Sequence, residues 1–209
     1  MCNAPATSKE HAPPSSFFPE GYRANLITVP SCAKHNNDNS KDVEYVRGFI
    51  VSPIQTTTPA ARQHFKGKVL RSYQKSRKLF DRIFKTSEPI IAEGKMTRLV
   101  HIELETFYTI MQSIAHALYF YLNNKQYNGK FLIHSIDLVA PKEIPIQHQR
   151  NLIGLRVMVN SLNLVEVKMP QPDIFKLSIH QDNPEKFIYE FIFYGGFKVY
   201  AVSTPFYYR

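Results

Sequence analysis

Side chains able to do acid–base or metal chemistry are scattered along the chain rather than grouped. The eight histidines lie at positions 11, 35, 64, 101, 116, 134, 148 and 180, and no two of them have the spacing of an HExxH ligand pair. Cys32 and His35 form one C-x-x-H pair, whereas a structural zinc site needs two further ligands. No GxSxG, P-loop or GxGxxG motif occurs. The sequence therefore predicts no metal site and no cofactor.

The best catalytic pattern is Asp137 followed by the tripeptide Glu166-Val167-Lys168. A carboxylate that ends one strand and an E-x-K sequence on the next would hold a divalent metal for phosphodiester hydrolysis, as in restriction-type nucleases. Glu166 and Lys168 share a face of their predicted strand. The pattern is short and arises often by chance, so an exposed strand edge is our main interpretation. We expect a non-enzymatic protein, with a metal-dependent nuclease as an alternative.

The strongest chemical signal is the positive charge of residues 62–85. This window carries nine Lys or Arg residues against one acid, Asp81, and so holds a net +8 of the chain's +9. At 100° per residue, six of the cations fall within an arc of roughly 100° on one side of a helix. These six are Lys68, Arg71, Lys75, Lys78, Arg82 and Lys85. The apolar residues on the opposite side are Phe65, Val69, Tyr73, Phe80, Ile83 and Phe84.

A helix with this pattern is expected to bind a polyanion. Like charges three and four residues apart destabilise a helix by a few tenths of a kcal/mol per pair, and an anionic partner relieves that repulsion. Nucleic acid is the partner we favour, bound through its phosphates without sequence readout. Three alternatives stay open: an anionic membrane surface, neutralisation of the row by the protein's own acids, and a partner helix.

Composition places the chain among globular proteins. Its 209 residues suffice for one domain with a substantial core, and 44% of them are hydrophobic. Both cysteines, Cys2 and Cys32, lie near the N-terminus, so a disulfide framework is not expected. The first residues lack the features of a signal peptide, which favours the cytoplasm or nucleus of a host cell, or a virion, over secretion. The apolar run 107–122 is shorter than the roughly 20 residues of a membrane span, so a core helix is expected.

The predicted fold is α+β. Residues 1–42 are expected to form an extended or disordered arm, because they hold five of the 14 prolines and show no sustained periodicity. Residues 43–209 are expected to form a single domain, with two main helices packed on a mostly antiparallel sheet. The first predicted strand is 43–51. Thr58 as N-cap and Pro59 at the first helical position begin the basic helix, and the stretch 86–89 ends it.

The second half of the chain is predicted to be mainly β. Alternation over 98–104 indicates a strand, and steps of three and four over 106–122 indicate the second helix. Further strands are predicted at 131–139, 155–159, 164–168 and 174–179. Two aromatic-rich strands then meet at Gly195-Gly196, a two-residue hairpin turn that requires positive φ.

The profile as a whole favours an assembly protein. A small, basic, Trp-free chain with a proline-bearing arm suits a viral structural or nucleic-acid-associated protein. The aromatic C-terminal strands and the arm offer surfaces for self-association, so a homo-oligomer is expected. The order strand, helix, strand over residues 98–139 resembles the core of viral matrix proteins. That resemblance covers about a fifth of the chain and includes no diagnostic motif, so we do not assign the chain to that family.

Overall fold

A computed structural model describes residues 5–32, 40–52, 58–92, 94–135, 138, 154, 157–183 and 185–204. Helices and strands are mixed, and the largest sheet has five antiparallel strands. Its strands are β5 (Lys130–His134), β6 (Val165–Val167), β7 (Phe175–Asn183), β8 (Lys186–Phe193) and β9 (Phe197–Thr204). Their spatial order is β5-β9-β8-β7-β6. The prediction of an α+β fold with an antiparallel sheet is confirmed.

The helices are more numerous than the two main ones that the sequence predicted. Within the described ranges five α-helices have complete bounds: α1 (Ser40–Val51), α2 (Pro59–His64), α3 (Leu70–Lys75), α4 (Arg77–Phe84) and α5 (Leu104–Asn123). The basic region alone accounts for three of them, because its backbone changes conformation twice. Helix α5 confirms the helix predicted at 106–122.

Two small sheets lie outside the main one. Strands β1 (Ser8–His11) and β2 (Thr28–Ser31) pair antiparallel, and a single 3-10 turn, Ser15–Phe17, lies between them. Strands β3 (Glu88–Ala92) and β4 (Lys95–Leu99) form an antiparallel hairpin directly after α4. The strand predicted at 98–104 therefore begins and ends earlier than expected.

The core lies between α5 and the main sheet. The buried residues of α5 recur at steps of three and four, which is the signature of a helix with one apolar side. Phe107 meets Phe197 edge to face at 6.1 Å, and Tyr119 stacks on Phe187 at 5.3 Å. Burial of each such side chain contributes about 1.5 to 3 kcal/mol. Helix α5 therefore packs across strands β8 and β9.

Strand β8 is buried on both faces. Phe187, Tyr189, Phe191 and Phe193 face the main core. On the opposite face Ile188 packs with Tyr200 and Val159, and the Tyr200 hydroxyl donates a 2.8 Å hydrogen bond to the buried Glu190 carboxylate. The aromatic rings that the sequence offered for self-association are thus buried within the chain itself.

The arm is part of the folded body over residues 5–32. Phe17 and Phe18 are buried in the main core, and Phe17 meets Phe193 edge to face at 6.0 Å. The boundary expected at residue 42 falls inside the first turn of α1. The two regions separated by composition therefore share one core.

Two predicted strands are helical instead. Residues 43–51 belong to α1, because Val43, Val46 and Ile50 follow helical steps of three and four and the burial of that side outweighs β-propensity. Residues 157–161 are helical, so the strand predicted at 155–159 is wrong there; residues 155 and 156 lie outside the described ranges. Val159 is buried against the outer face of the main sheet, whereas Val157 and Met158 are exposed.

The turn between β8 and β9 has three residues rather than two. Phe193 pairs with Phe197, and positive φ angles occur at Tyr194 (51°) and Gly195 (70°) instead of at both glycines. The Tyr194 amide donates to the carbonyl of Ile174, which holds this unusual conformation in place. The hairpin itself is confirmed. The strand predicted at 174–179 corresponds to β7, and those predicted at 131–139 and 164–168 correspond to β5 and β6.

Buried polar groups join the arm, α2 and the hairpin turn. The Tyr194 hydroxyl donates to the carbonyl of Phe17 at 2.6 Å and lies 2.5 Å from His64 Nδ1. Since the single hydroxyl proton is used toward Phe17, His64 donates from Nδ1. Burial, assisted by nearby Arg47, Lys68 and Arg23, lowers the pKa of His64 to about 3, so the ring is uncharged at neutral pH.

Replacing Tyr194 by Phe is expected to lower the free energy of unfolding by about 1 to 3 kcal/mol, because it leaves a buried donor and a buried acceptor without a partner. Urea unfolding followed by circular dichroism measures the change. The matched control is Tyr121→Phe on the exposed side of α5, which we expect to change stability by less than about 0.5 kcal/mol. Equal stability of the two variants would contradict the role assigned to the junction.

Stability is expected to fall as the pH is lowered from 7 to 5. The pKa of His64 is lowered to about 3 and that of His116 to about 4, mainly by burial, so below pH 6.5 the unfolded chain binds protons that the folded chain does not. Each histidine then removes up to about 1.4 kcal/mol per pH unit. Urea midpoints at pH 7, 6 and 5 test this. Burial also lowers the pKa of His134, so His116→Leu should reduce the slope by about a third to a half, and a flat profile in the wild type would refute the prediction.

Candidate functional site

The basic region begins where the sequence predicted and then departs from one continuous helix. Thr58 Oγ1 accepts a 3.1 Å hydrogen bond from the Ala61 amide, and Pro59 occupies the first position of α2. Residues Phe65–Val69 form a π-helical turn, and the chain leaves helical conformation at Ser76 (φ −123°, ψ 95°). Ser76 Oγ caps α4 by accepting from the Leu79 amide at 3.2 Å. The end of the region near residue 85 agrees with the prediction.

The π turn changes which cations are aligned. The Leu70 amide bonds to the Phe65 carbonyl, five residues back, so the turn accommodates one extra residue. Residues five apart in an α-helix are rotated by 140°, whereas across this turn they return to the same side. The buried positions show the same step of five, from His64 to Val69. The exposed cations on the outer side are therefore Arg62, Lys66, Arg71 and Lys75.

We call these four residues the cationic stripe. They span about 20 Å of helix, with Lys78 and Lys85 exposed beyond the break at Ser76. Within the described residues no carboxylate lies within ion-pairing distance of any of the four. Arg71 donates from Nε to the carbonyl of Gly67 on the preceding turn, which leaves its terminal amino groups outward. The stripe is a row of uncompensated positive charge.

The structure separates the six residues of the predicted row into three groups. Arg71 and Lys75 belong to the stripe, whereas Lys78 on α4 and Lys85 just after it are exposed beyond the break at Ser76. Lys68 is half-buried on the inner side of the π turn. Arg82 is engaged by the protein's own carboxylates. The sequence missed Arg62 and Lys66, because its count assumed α-helical phase throughout and nothing in the local sequence marks a π turn clearly.

Arg82 is a structural side chain. It donates to Asp42 Oδ1 at 2.9 Å and to the two oxygens of Glu103 at 2.7 and 2.5 Å, and its guanidinium lies 4.1 Å from the centre of the Tyr45 ring. The hydrogen bond to Glu103 raises the pKa of Arg82 further and lowers the pKa of Glu103. Arg82 thereby joins α1, α4 and the start of α5. For this residue, neutralisation by the protein's own acids is what the structure shows.

A second group of cations lies under the inner side of the π turn. Arg47 is 2% exposed and donates from Nη2 to Ser72 Oγ at 2.7 Å and to Glu44 at 3.2 Å. The pKa of Lys68 is lowered by burial and then by the charges of Arg23 and Arg47. Within the described residues, Glu44 is the carboxylate that pairs with Arg47, and its charge partly offsets the effect of Arg23 and Arg47 on Lys68. The potential around the π turn is therefore positive on its inner side as well as along the stripe.

Most aromatic rings of the basic region are buried or in contact with neighbouring side chains. Tyr73 is buried and Phe65 half-buried, as expected for the apolar side. Phe80, predicted to be on the apolar side, is 37% exposed, because the break at Ser76 resets the helical phase and turns Leu79 and Ile83 inward. Its ring centre lies 4.8 Å from that of Phe84 and 5.3 Å from the guanidinium of Arg77. Phe80 is therefore partly exposed, with two side chains already against its ring.

The nuclease pattern is not assembled in the described part of the chain. Glu166 is exposed on β6, a strand at one edge of the main sheet, and Lys168 is exposed just after it. Asp137 lies outside the described residues, as do Cys2 and His35. Cys32 is buried at the end of β2. Among the residues that the structure covers, no three His, Cys, Asp or Glu side chains are close enough to hold a metal ion.

Two further findings bear on the function of the protein. No described helix combines the length and the apolar character needed to cross a membrane. Comparison with protein-family models, with curated proteins and with solved structures gave no match. The proposed function therefore rests on the geometry of the described residues.

Arg82→Ala is expected to lower the free energy of unfolding by about 1 to 2 kcal/mol, because it removes two ion pairs and a cation–π contact that join three helices. Chemical denaturation measures the effect. Lys78→Ala removes the same charge from an exposed site on the same helix and should cost less than about 0.5 kcal/mol. Similar losses in the two variants would show that Arg82 does not have the structural role assigned here.

Proposed function

We propose that this protein binds nucleic acid, without sequence specificity, through contacts between phosphate groups and the cationic stripe. The observation that carries the proposal is the alignment of four cations on the outer side of the continuous helical segment formed by α2, the π turn and α3. These are Arg62, Lys66, Arg71 and Lys75, and none of them has a carboxylate partner in the described residues. Rows of Lys and Arg that release counterions from phosphates supply most of the affinity in non-specific binding.

The surroundings of the stripe support an anionic ligand. Arg23, Arg47 and Lys68 add positive charge around the π turn; burial is the main cause that lowers the pKa of Lys68, and the charges of Arg23 and Arg47 lower it further. A bound phosphate would relieve the repulsion. The excess charge of the whole chain, +9, would also speed association with a polyanion.

The arrangement favours contact with the backbone over reading of bases. The stripe lies on the exposed outer side of the helical segment 59–75, the Tyr73 ring is buried, and the partly exposed Phe80 ring is in contact with Phe84 and Arg77. Such contacts position a protein on nucleic acid but carry no sequence information. Self-association and the metal-dependent nuclease activity stay predictions, to be tested by sedimentation of the free protein and by Mg²⁺-dependent cleavage with a Glu166→Ala variant.

Salt dependence tests the proposal directly. The affinity of the wild type for a labelled duplex is expected to fall steeply between about 50 and 200 mM salt. The triple variant Lys66→Ala, Arg71→Ala, Lys75→Ala should bind more weakly and reduce the slope of log K against log salt by about 2 to 3 units, since each lost phosphate contact removes about 0.9. Fluorescence anisotropy over a salt series measures both quantities.

The control for that experiment has the same net charge. Lys125, Lys130 and Lys186 are exposed and lie outside the basic region, so their triple replacement by Ala removes three charges elsewhere. It should leave the slope within about 0.5 unit of wild type. Equal slopes in the two triple variants would mean that net charge alone drives binding. If the protein pelleted with anionic but not neutral vesicles and had no affinity for the duplex, the ligand of the stripe would be a membrane surface and not nucleic acid.

A further inference from the structure

The β3–β4 hairpin exposes an apolar pair at the end of the basic region. Ile91 and Met96 are cross-strand partners and therefore lie on the same face of the two-stranded sheet. They are 77% and 86% exposed, the highest values among the large apolar side chains described. Pro89, on the same face, is also exposed. The opposite face is partly covered, because Ile90, Thr97 and Leu99 are half-buried.

The foot of the hairpin is fixed to the end of α4. Arg98 donates from Nε to Ser87 Oγ at 2.7 Å and from Nη2 to the Ser87 carbonyl at 2.8 Å. Ser87 Oγ in turn donates to the carbonyl of Phe84 at 2.7 Å. These bonds hold the hairpin in a defined position relative to α4, which carries the exposed cations Lys78 and Lys85.

An apolar face of this kind calls for a partner. A two-stranded hairpin is marginally stable on its own in water, and an exposed Ile or Met lacks the stabilisation that burial would give. The partner must tolerate the cations at the foot of the hairpin. A second copy docked through the same face would bring two sets of these cations together, so charge complementarity favours an anionic partner.

We propose that the apolar face formed by Pro89, Ile91 and Met96 enters a groove of duplex nucleic acid and wedges against a base-pair step. This rests on the proposed function, since the stripe would provide the phosphate contacts. A two-stranded ribbon can enter the minor groove, where Ile, Met and Pro are among the residues that wedge between base steps and bend the duplex. Arg98 is the cross-strand partner of Pro89, so it adds a cation to the same face of the hairpin, which suits a phosphate backbone.

Bending of a doubly end-labelled duplex of about 30 base pairs tests the wedge. The wild type should bind with a steep salt slope and shorten the end-to-end distance read by energy transfer. The variant Ile91→Ser/Met96→Ser should bind about tenfold more weakly, keep the salt slope and leave the duplex straight. Ile91→Leu/Met96→Leu is the matched control and should bend the duplex as the wild type does. Because both side chains are exposed, unchanged urea midpoints are expected for all three proteins.

Each other outcome has a definite meaning. Binding and bending that persist in the double Ser variant would overturn the wedge and leave the proposed function intact. Absence of salt-dependent binding in the wild type would overturn both.

A single tryptophan distinguishes the competing partners, because the chain has none of its own. Emission from Met96→Trp should be quenched on addition of the duplex, through contact with the bases. A blue shift with anionic vesicles and no response to the duplex would assign the hairpin to a membrane surface. A blue shift that grows with protein concentration alone would assign it to a second copy. Either result would refute the wedge.

Discussion

The hydroxyl group of Tyr194 is the point on which several parts of the molecule depend. It connects the arm through the Phe17 carbonyl, the basic region through His64, and the main sheet through the turn that carries Tyr194 itself. These segments are far apart in sequence and have different compositions. Because the group is buried, each hydrogen bond lost there leaves a polar atom without water to replace its partner. The orientation of α2, and with it the start of the cationic stripe, follows from this junction.

Much of the fold could be predicted from local patterns. Helix α5, the β8–β9 hairpin and the start of α2 at Thr58-Pro59 each have a strong signal: helical periodicity, an aromatic-rich pair of strands with a glycine turn, or a cap followed by proline. Helix α1 was missed because Val43, Tyr45 and Val46 favour strands locally, and only packing against the rest of the core decides between the alternatives. Composition predicts a separate arm because it cannot show that Phe17 meets Phe193.

The sequence predicts which cations the candidate site contains but not how they are grouped in space. The excess of cations between residues 62 and 85 is plain in the sequence. Their grouping depends on the π turn at Phe65–Val69 and on the break at Ser76, and each changes the helical phase. Arg82 does not belong to the stripe because it pairs with Asp42 and Glu103, which are distant in sequence and become its neighbours only in the folded state.

Because the π turn holds an extra residue, the number of cations in the basic region does not by itself determine which of them are aligned. If the same residues were α-helical throughout, every cation would remain, yet Lys66 and Arg71 would be rotated by about 140° relative to each other. The same change would rotate His64 by about 140° relative to Val69 and so turn one of them away from the interior. Removing Gly67 instead would leave each pair four residues apart, about 40° out of line, so the outer and the buried positions stay aligned together. The outer row therefore cannot be rearranged without disturbing the interior, and variation that preserves folding also preserves the alignment of the stripe.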